Sequence, residues 1–133
     1  MLFIYWLEEH PVFAKKVEHI RNRMSERHDE LITSSFTIGE VLAGVFQKRE
    51  EQRAKQVRAL LLSVISEIVP FTEATADHYA RIRGVSGVRS PDAIHLASAA
   101  QAGTDLFLTN DKQLVRKIVP GVQFIASLDT DLF

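Results

Sequence analysis

A chain of 133 residues, 46% of them hydrophobic and 25% charged, with a formal net charge of -1, fits one globular domain spanning 1–133 and excludes both intrinsic disorder and a uniformly basic nucleic-acid coat. The absence of cysteine removes disulfide frameworks, thiolate zinc or iron–sulfur sites and cysteine nucleophiles, and suits a reducing cytoplasm. The longest apolar run, Met1 to Leu7, stops at Glu8 and Glu9; it is too short for a membrane span and has no basic leader or cleavage site, so the chain is expected to be soluble and unexported.

After Pro11, the residues Phe13, Val17, Ile20 and Met24 recur at helical spacing while Lys15, Lys16, Arg21, Arg23 and Arg27 take other faces, which predicts an amphipathic helix with a basic exterior. Leu31 to Phe36, short and rich in β-branched and hydroxyl residues, suits a buried strand. Thr37-Ile38-Gly39-Glu40 has the form of a capping box, so a helix is expected to start at Thr37 and turn Val41, Leu42, Val45 and Phe46 inward. The alternating charges of Gln47 to Arg58, followed by Leu60, Leu61, Val64 and Ile65, predict a second long helix and hence a helical hairpin. Ile68 to Phe71 reads as an edge strand, because Pro70 lacks the donor a central strand needs, and Thr72 is placed to cap a helix through Ile82.

Ser90 is a good N-cap, Pro91 fits the first helical position, Asp92 sits where the helix dipole favours a carboxylate, and Gly103 closes the helix. Ala93, Ala97, Ala99, Ala100 and Ala102 keep this helix slim enough to lie close on a sheet. Asp105 to Thr109 reads as a fully buried strand ending at Asn110-Asp111, Lys112 to Ile118 as a short helix, and Val122 to Ile125 as a last strand after the Pro120-Gly121 turn.

Strands alternating with helices imply a mostly parallel sheet covered by helices on both faces, in which ligands gather outside the carboxyl ends of the strands. Glu40, Asp92 and Asp111 all fall at such ends or at helix starts beside them. Carboxylates gathered in one cleft repel each other, and a hard cation such as Mg²⁺ or Mn²⁺ relieves that repulsion productively, activating water and neutralising charge on a phosphodiester. Arg81, Arg83 and Arg89 lie just before Asp92 with no acid between them and could hold the phosphates of such a substrate.

The runs Ser34-Ser35-Phe36-Thr37-Ile38-Gly39-Glu40-Val41-Leu42-Ala43-Gly44, Ser90-Pro91-Asp92-Ala93-Ile94-His95-Leu96-Ala97-Ser98-Ala99 and Leu106-Phe107-Leu108-Thr109-Asn110-Asp111 together resemble PIN-domain proteins of the VapC toxin type. The resemblance covers nearly the whole chain. It implies a three-layer α/β sandwich, an Mg²⁺- or Mn²⁺-dependent endoribonuclease, homodimer formation and neutralisation by a cognate antitoxin. It casts Glu40, Asp92 and Asp111 as catalytic, metal-holding acids, with Thr109 and Asn110 orienting them. Such domains generally open with a strand ending in an aspartate, before a helix that starts like Leu2 to Pro11. This chain begins inside that pattern, so the first strand is expected to be missing or replaced, the domain being shortened at its N-terminus. Met1 to Leu7 could stand in as the strand and bring Glu8 or Glu9 near the site, or another chain could fill the gap.

Ordinary structural roles compete with each assignment. A capping box accounts for Glu40, the helix dipole for Asp92 and a turn or N-cap for Asp111. His95, one turn after Asp92, is expected to pack rather than face the site; Asp129 and Asp131 are expected to form a solvated tail. His10, His19 and His28 alternate between helix faces and make no metal cluster. The aromatic surface of Phe3, Tyr5, Trp6 and Phe13 suggests a partner, either a second copy or an antitoxin helix. A catalytically impaired module that binds RNA or antitoxin without cutting is the alternative function. A phosphoacceptor receiver domain is disfavoured, because no acid pair follows the first strand and no lysine the last.

Overall fold

Helix ends follow local chemistry in most places. The computed structural model describes residues 2–129, apart from the side chain of Tyr5, and its elements run α1 (Leu2–Leu7), α2 (Phe13–Arg27), β1 (Ile32–Ser34), α3 (Ser35–Gln47), α4 (Glu51–Val64), β2 (Glu67–Val69), α5 (Glu73–Ser86), α6 (Ser90–Ala102), β3 (Phe107–Thr109), α7 (Lys112–Val115) and β4 (Ile125–Ser127). His10 Nδ1 accepts the backbone N–H groups of Val12 and Phe13 at 3.2 Å, so an imidazole closes the start of α2, while His28 ends it in the left-handed region at φ 60°. Two of the three histidines on this stretch are therefore helix punctuation. Thr72 and Thr75 cap α5 reciprocally, and Gly87 and Gly103 end α5 and α6 with positive φ.

The stand-in strand is not formed. Leu2–Leu7 is a helix, because Phe3, Ile4 and Leu7 fall on one stripe that packs onto the core of Val41, Leu42, Ala54, Val57 and Leu61 between α3 and α4. Extended backbone would have sent alternate members of that set to opposite sides. The aromatic surface expected at this end is accordingly mostly consumed: Phe3 joins the core, Trp6 receives the Arg21 guanidinium 5.0 Å from its ring centroid, and Phe13 is half-buried. Met1, the Tyr5 side chain and Asp131 lie outside the described residues.

The strands are parallel, as expected, but form two pairs: β1 with β2 (Ile32 opposite Glu67, Ser34 opposite Val69) and β3 with β4 (Phe107 opposite Ile125, Thr109 opposite Ser127). Each strand is shorter than its apolar run, and the last begins three residues later than Val122, which instead makes an isolated antiparallel bridge with Val119. Phe107, Leu108 and Thr109 are half-buried rather than enclosed, for β3 has a strand neighbour on one side only. Helix α6 lies across both pairs. It packs on α5, β1 and β2, while its Ala93, Leu96 and Ala97, all fully buried, share a core with Ile82, Val88, Leu114, Val119 and Val122 against which Phe107 and Ile125 also pack. The alanines permit this close approach.

Gly121 turns the chain between α7 and β4 at φ +81°, and a Cβ there would stand 2.9 Å from the Ala100 Cβ. Gly121→Ala is expected to cost about 1–3 kcal/mol through backbone strain and collision with α6. A urea midpoint equal to that of the parent chain would show that the turn relaxes without penalty. At the other surface, Lys16 Nζ reaches Asp129 Oδ1 at 2.5 Å, and this ammonium holds the Asp129 carboxyl below its usual range. Asp129 is thus tied to α2 rather than part of a free tail, although a pair this exposed contributes little. What it contributes is present above the ordinary carboxylate pKa and fades as the pH falls through the lowered value in the folded chain.

Candidate active site

The helix start expected at Thr37 lies earlier. Ser34, the last residue of β1, is the N-cap of α3, with its Oγ accepting the Thr37 N–H at 3.2 Å. Glu40 then stands in the second turn, beyond reach of the cap, so the capping-box explanation of this glutamate fails. Its Oε1 instead meets His95 Nε2 at 2.7 Å, with the two side chains 26% and 19% exposed. The other face of the imidazole is held as firmly: His95 Nδ1 lies 2.8 Å from Ser34 Oγ and 3.2 Å from Thr37 Oγ1, and Thr33 Oγ1 donates to Thr37 Oγ1 at 2.9 Å. Ser34 and Thr37 are buried, and among the described residues no buried polar side-chain atom lacks a partner.

His95 therefore faces the site, contrary to the packing role expected for it. The physical reason is the chain of hydroxyls at the end of β1, which offers the ring a polar seat that an apolar core would deny it. The spacing carried a signal: His95 is three residues after Asp92, on the same helix face. The involvement of Ser34 and Thr37 had no comparable signal, since either could have been a simple cap. The Phe36 ring, 39% exposed, lies 5.4 Å from the imidazole and borders the pair.

Asp92 occupies the first turn of α6, where Arg89 is the N-cap and Pro91 follows Ser90 inside the helix, one residue earlier than Ser90 capping predicts. Ser90 Oγ pairs instead with Tyr79 Oη at 2.6 Å. The Asp92 carboxylate is half-buried and has no hydrogen-bond or ion-pair partner among the described residues. Asp111 does serve as a cap, its Oδ1 accepting the Gln113 N–H at 2.9 Å to start α7. Thr109 supports it, accepting the Asp111 N–H on Oγ1 at 3.1 Å, and Asn110 lies in the bend between them.

Glu40 and Asp92 thus belong to one neighbourhood through His95. The short 103–106 connection returns the chain from α6 into β3, and Leu114, three residues beyond Asp111, shares the buried core with Ala93, Leu96 and Ala97 of α6. The three carboxylates offer the hard oxygen donors a divalent ion prefers, and Glu40 Oε2 and Asp111 Oδ2 have no partner among the described residues. They fit such an ion in kind. As folded they do not enclose one, since no three acid or histidine side chains among the described residues are gathered closely enough to hold a metal. The three arginines Arg81, Arg83 and Arg89 are exposed, and Arg83 Nη1 also donates to the Val88 carbonyl at 2.7 Å and braces the loop leading to Arg89.

A separate cavity of about 520 Å³ opens between α1, α3 and α4, floored by Ile4, Leu7, Val41, Val45 and Val57 and rimmed by Glu8, Glu9, Lys48, Glu50 and Arg53. Lys48 reaches Glu8 across this rim at 3.1 Å. Among the described residues no helix is long and apolar enough to cross a membrane.

The PIN domain family model matches residues 2–118. The solved structure of VapBC2 from Rickettsia felis, bound to a DNA fragment from their promoter, contains a chain that superposes with a TM-score of 0.74 at 17% identity, covering 95% of this chain and 92% of that one. At that identity the likeness concerns the fold. No curated protein matches the chain.

Proposed function

The chain belongs to the PIN-domain family, and from that premise we propose that it is a VapC-type toxin, a metal-dependent endoribonuclease working in the cytoplasm and neutralised by a cognate antitoxin. The observation that carries this reading is Glu40, which is released from any capping duty and fixed by His95 beside the helix that bears Asp92. Glu40, Asp92 and Asp111 would hold Mg²⁺ or Mn²⁺. A bound ion of that kind polarises water and offsets charge building on a phosphate.

The remaining work falls to the chain's own groups. Arg81 and Arg89, exposed on α5 and at the start of α6, would take RNA phosphates, with Arg83 keeping the intervening loop in place. Thr109 and Asn110 would aim the Asp111 carboxylate through the turn they form with it. Two copies are expected to pair. The apolar-floored cavity between α1, α3 and α4 suits one face of an antitoxin helix, and its mixed charged rim would set the register.

Purified protein incubated with structured RNAs, tRNA among them, is expected to cut in the presence of Mn²⁺ and to stop on chelation. Glu40→Gln should abolish the cleavage; cutting that survives it would remove Glu40 from the site. A second reading, a PIN fold that binds RNA or antitoxin without cutting, draws on the ungathered carboxylates. It predicts retention of RNA at every Mn²⁺ concentration with no product.

A further inference from the structure

We infer that His95 is the positioning residue of Glu40, held between that carboxylate and the hydroxyls at the end of β1 in the one tautomer that aims its Nε2–H at the carboxylate. The inference deepens the nuclease reading and rests on it for its activity arm. Its base is the contact set around one ring: Glu40 Oε1 at 2.7 Å from Nε2, and Ser34 Oγ at 2.8 Å and Thr37 Oγ1 at 3.2 Å from Nδ1.

The hydrogen-bond count selects the tautomer. An ionised carboxylate only accepts, so Nε2 must donate to Glu40, which leaves Nδ1 as an acceptor in the neutral ring. The hydroxyls can supply it: Thr33 donates to Thr37, and the Thr37 and Ser34 hydroxyls, bonded to each other with either one as donor, leave one proton to turn to Nδ1. Ser34 Oγ also accepts the Thr37 N–H, and its own proton is free to turn to the ring. With the opposite tautomer, a bare Nε2 would face a carboxylate with no proton between them.

The consequence is mechanical. Glu40 is a long side chain on a helix, with rotamers to spare, and an anchored imidazole removes that freedom at Oε1 while leaving Oε2 open. The same seat links three elements, β1 through Ser34, α3 through Thr37 and Glu40, and α6 through His95, so the ring also sets the distance from Glu40 to Asp92.

Three measurements on the full chain test this. Ring ¹⁵N shifts of His95 are expected to show a protonated Nε2 and a bare Nδ1; the reverse tautomer overturns the inference whatever the RNA assay gives. His95→Asn keeps a polar atom near the Nδ1 position but has nothing to reach Glu40, and calorimetric Mn²⁺ affinity and RNA cleavage should each fall by roughly 10–100-fold with little change in thermal midpoint. His95→Gln places an amide N–H where Nε2 was and should recover most of both. Asn and Gln variants that behave alike, or an Asn variant equal to the parent, would sink the positioning role. If Glu40→Gln is inactive while His95→Asn is not, the nuclease reading stands and only this inference falls. A parent chain that neither binds Mn²⁺ nor cuts RNA removes the nuclease reading and leaves the ¹⁵N shifts to decide the rest.

Discussion

Replacing Asp92 with Asn is expected to lower RNA cleavage by more than about 100-fold, beyond what loss of an outer-shell partner does, while moving the thermal midpoint by at most about 4 °C. The two effects separate because the carboxylate has no partner among the described residues whose loss could loosen the fold. Its structural contribution is limited to the favourable field of the first turn of α6, about 0.3–1 kcal/mol. An asparagine is nearly isosteric and leaves Arg89, Pro91 and the Ser90–Tyr79 hydrogen bond where they are. Asp111→Asn makes a companion test, because Asn caps a helix about as well as Asp, so α7 should start as before. Activity lost in this variant at unchanged stability assigns Asp111 to chemistry. Asp111→Ala, by contrast, should lose activity and also about 1 kcal/mol of stability from the missing cap. Cleavage at the parent rate in either Asn variant would take that carboxylate out of the site.

The largest stability effect is expected for Leu96→Ala, about 2–5 kcal/mol from lost transfer energy and the cavity left behind. Leu96 has no exposed surface and lies in the middle of α6, among Ala93, Ala97, Ile82, Val88 and Leu114. Neighbouring alanines are too short to fill the space, so the cavity term should be near its upper range. For a domain whose whole stability is of order 5–15 kcal/mol, this is a large fraction. Because α6 carries both Asp92 and His95 and spans the two strand pairs, the variant should lose cleavage below its unfolding midpoint as well as stability. A urea midpoint within error of the parent would mean that the two halves of the core do not depend on this residue.

Much of the architecture is written in local chemistry. The amphipathic stripe of Phe13 to Arg27, the Thr72 cap, the Gly103 stop and the alternation of apolar runs with helical segments all act over a few residues, and each reappears in the structure. The same range limits what can be read. Leu2–Leu7 is apolar enough for strand or helix, and only the presence of the α3–α4 core, which accepts a stripe rather than an alternating row, decides for helix. Glu40 looked like half of a capping box because Thr37 is a plausible cap. Ser34 took that place because it could hold both the Thr37 N–H and the imidazole of a residue 61 positions away.

The chain by itself determined the α/β class, the boundaries of the helices after α1 to within a few residues and the types of side chain on hand for chemistry, since these depend on periodicity, capping and composition. The tertiary structure alone decided that the parallel strands form two pairs bridged by α6 and that Glu40 meets His95. Those outcomes hang on contacts between residues far apart in sequence, whose energies are settled by packing and by the matching of buried donors to acceptors, quantities no short window of sequence contains.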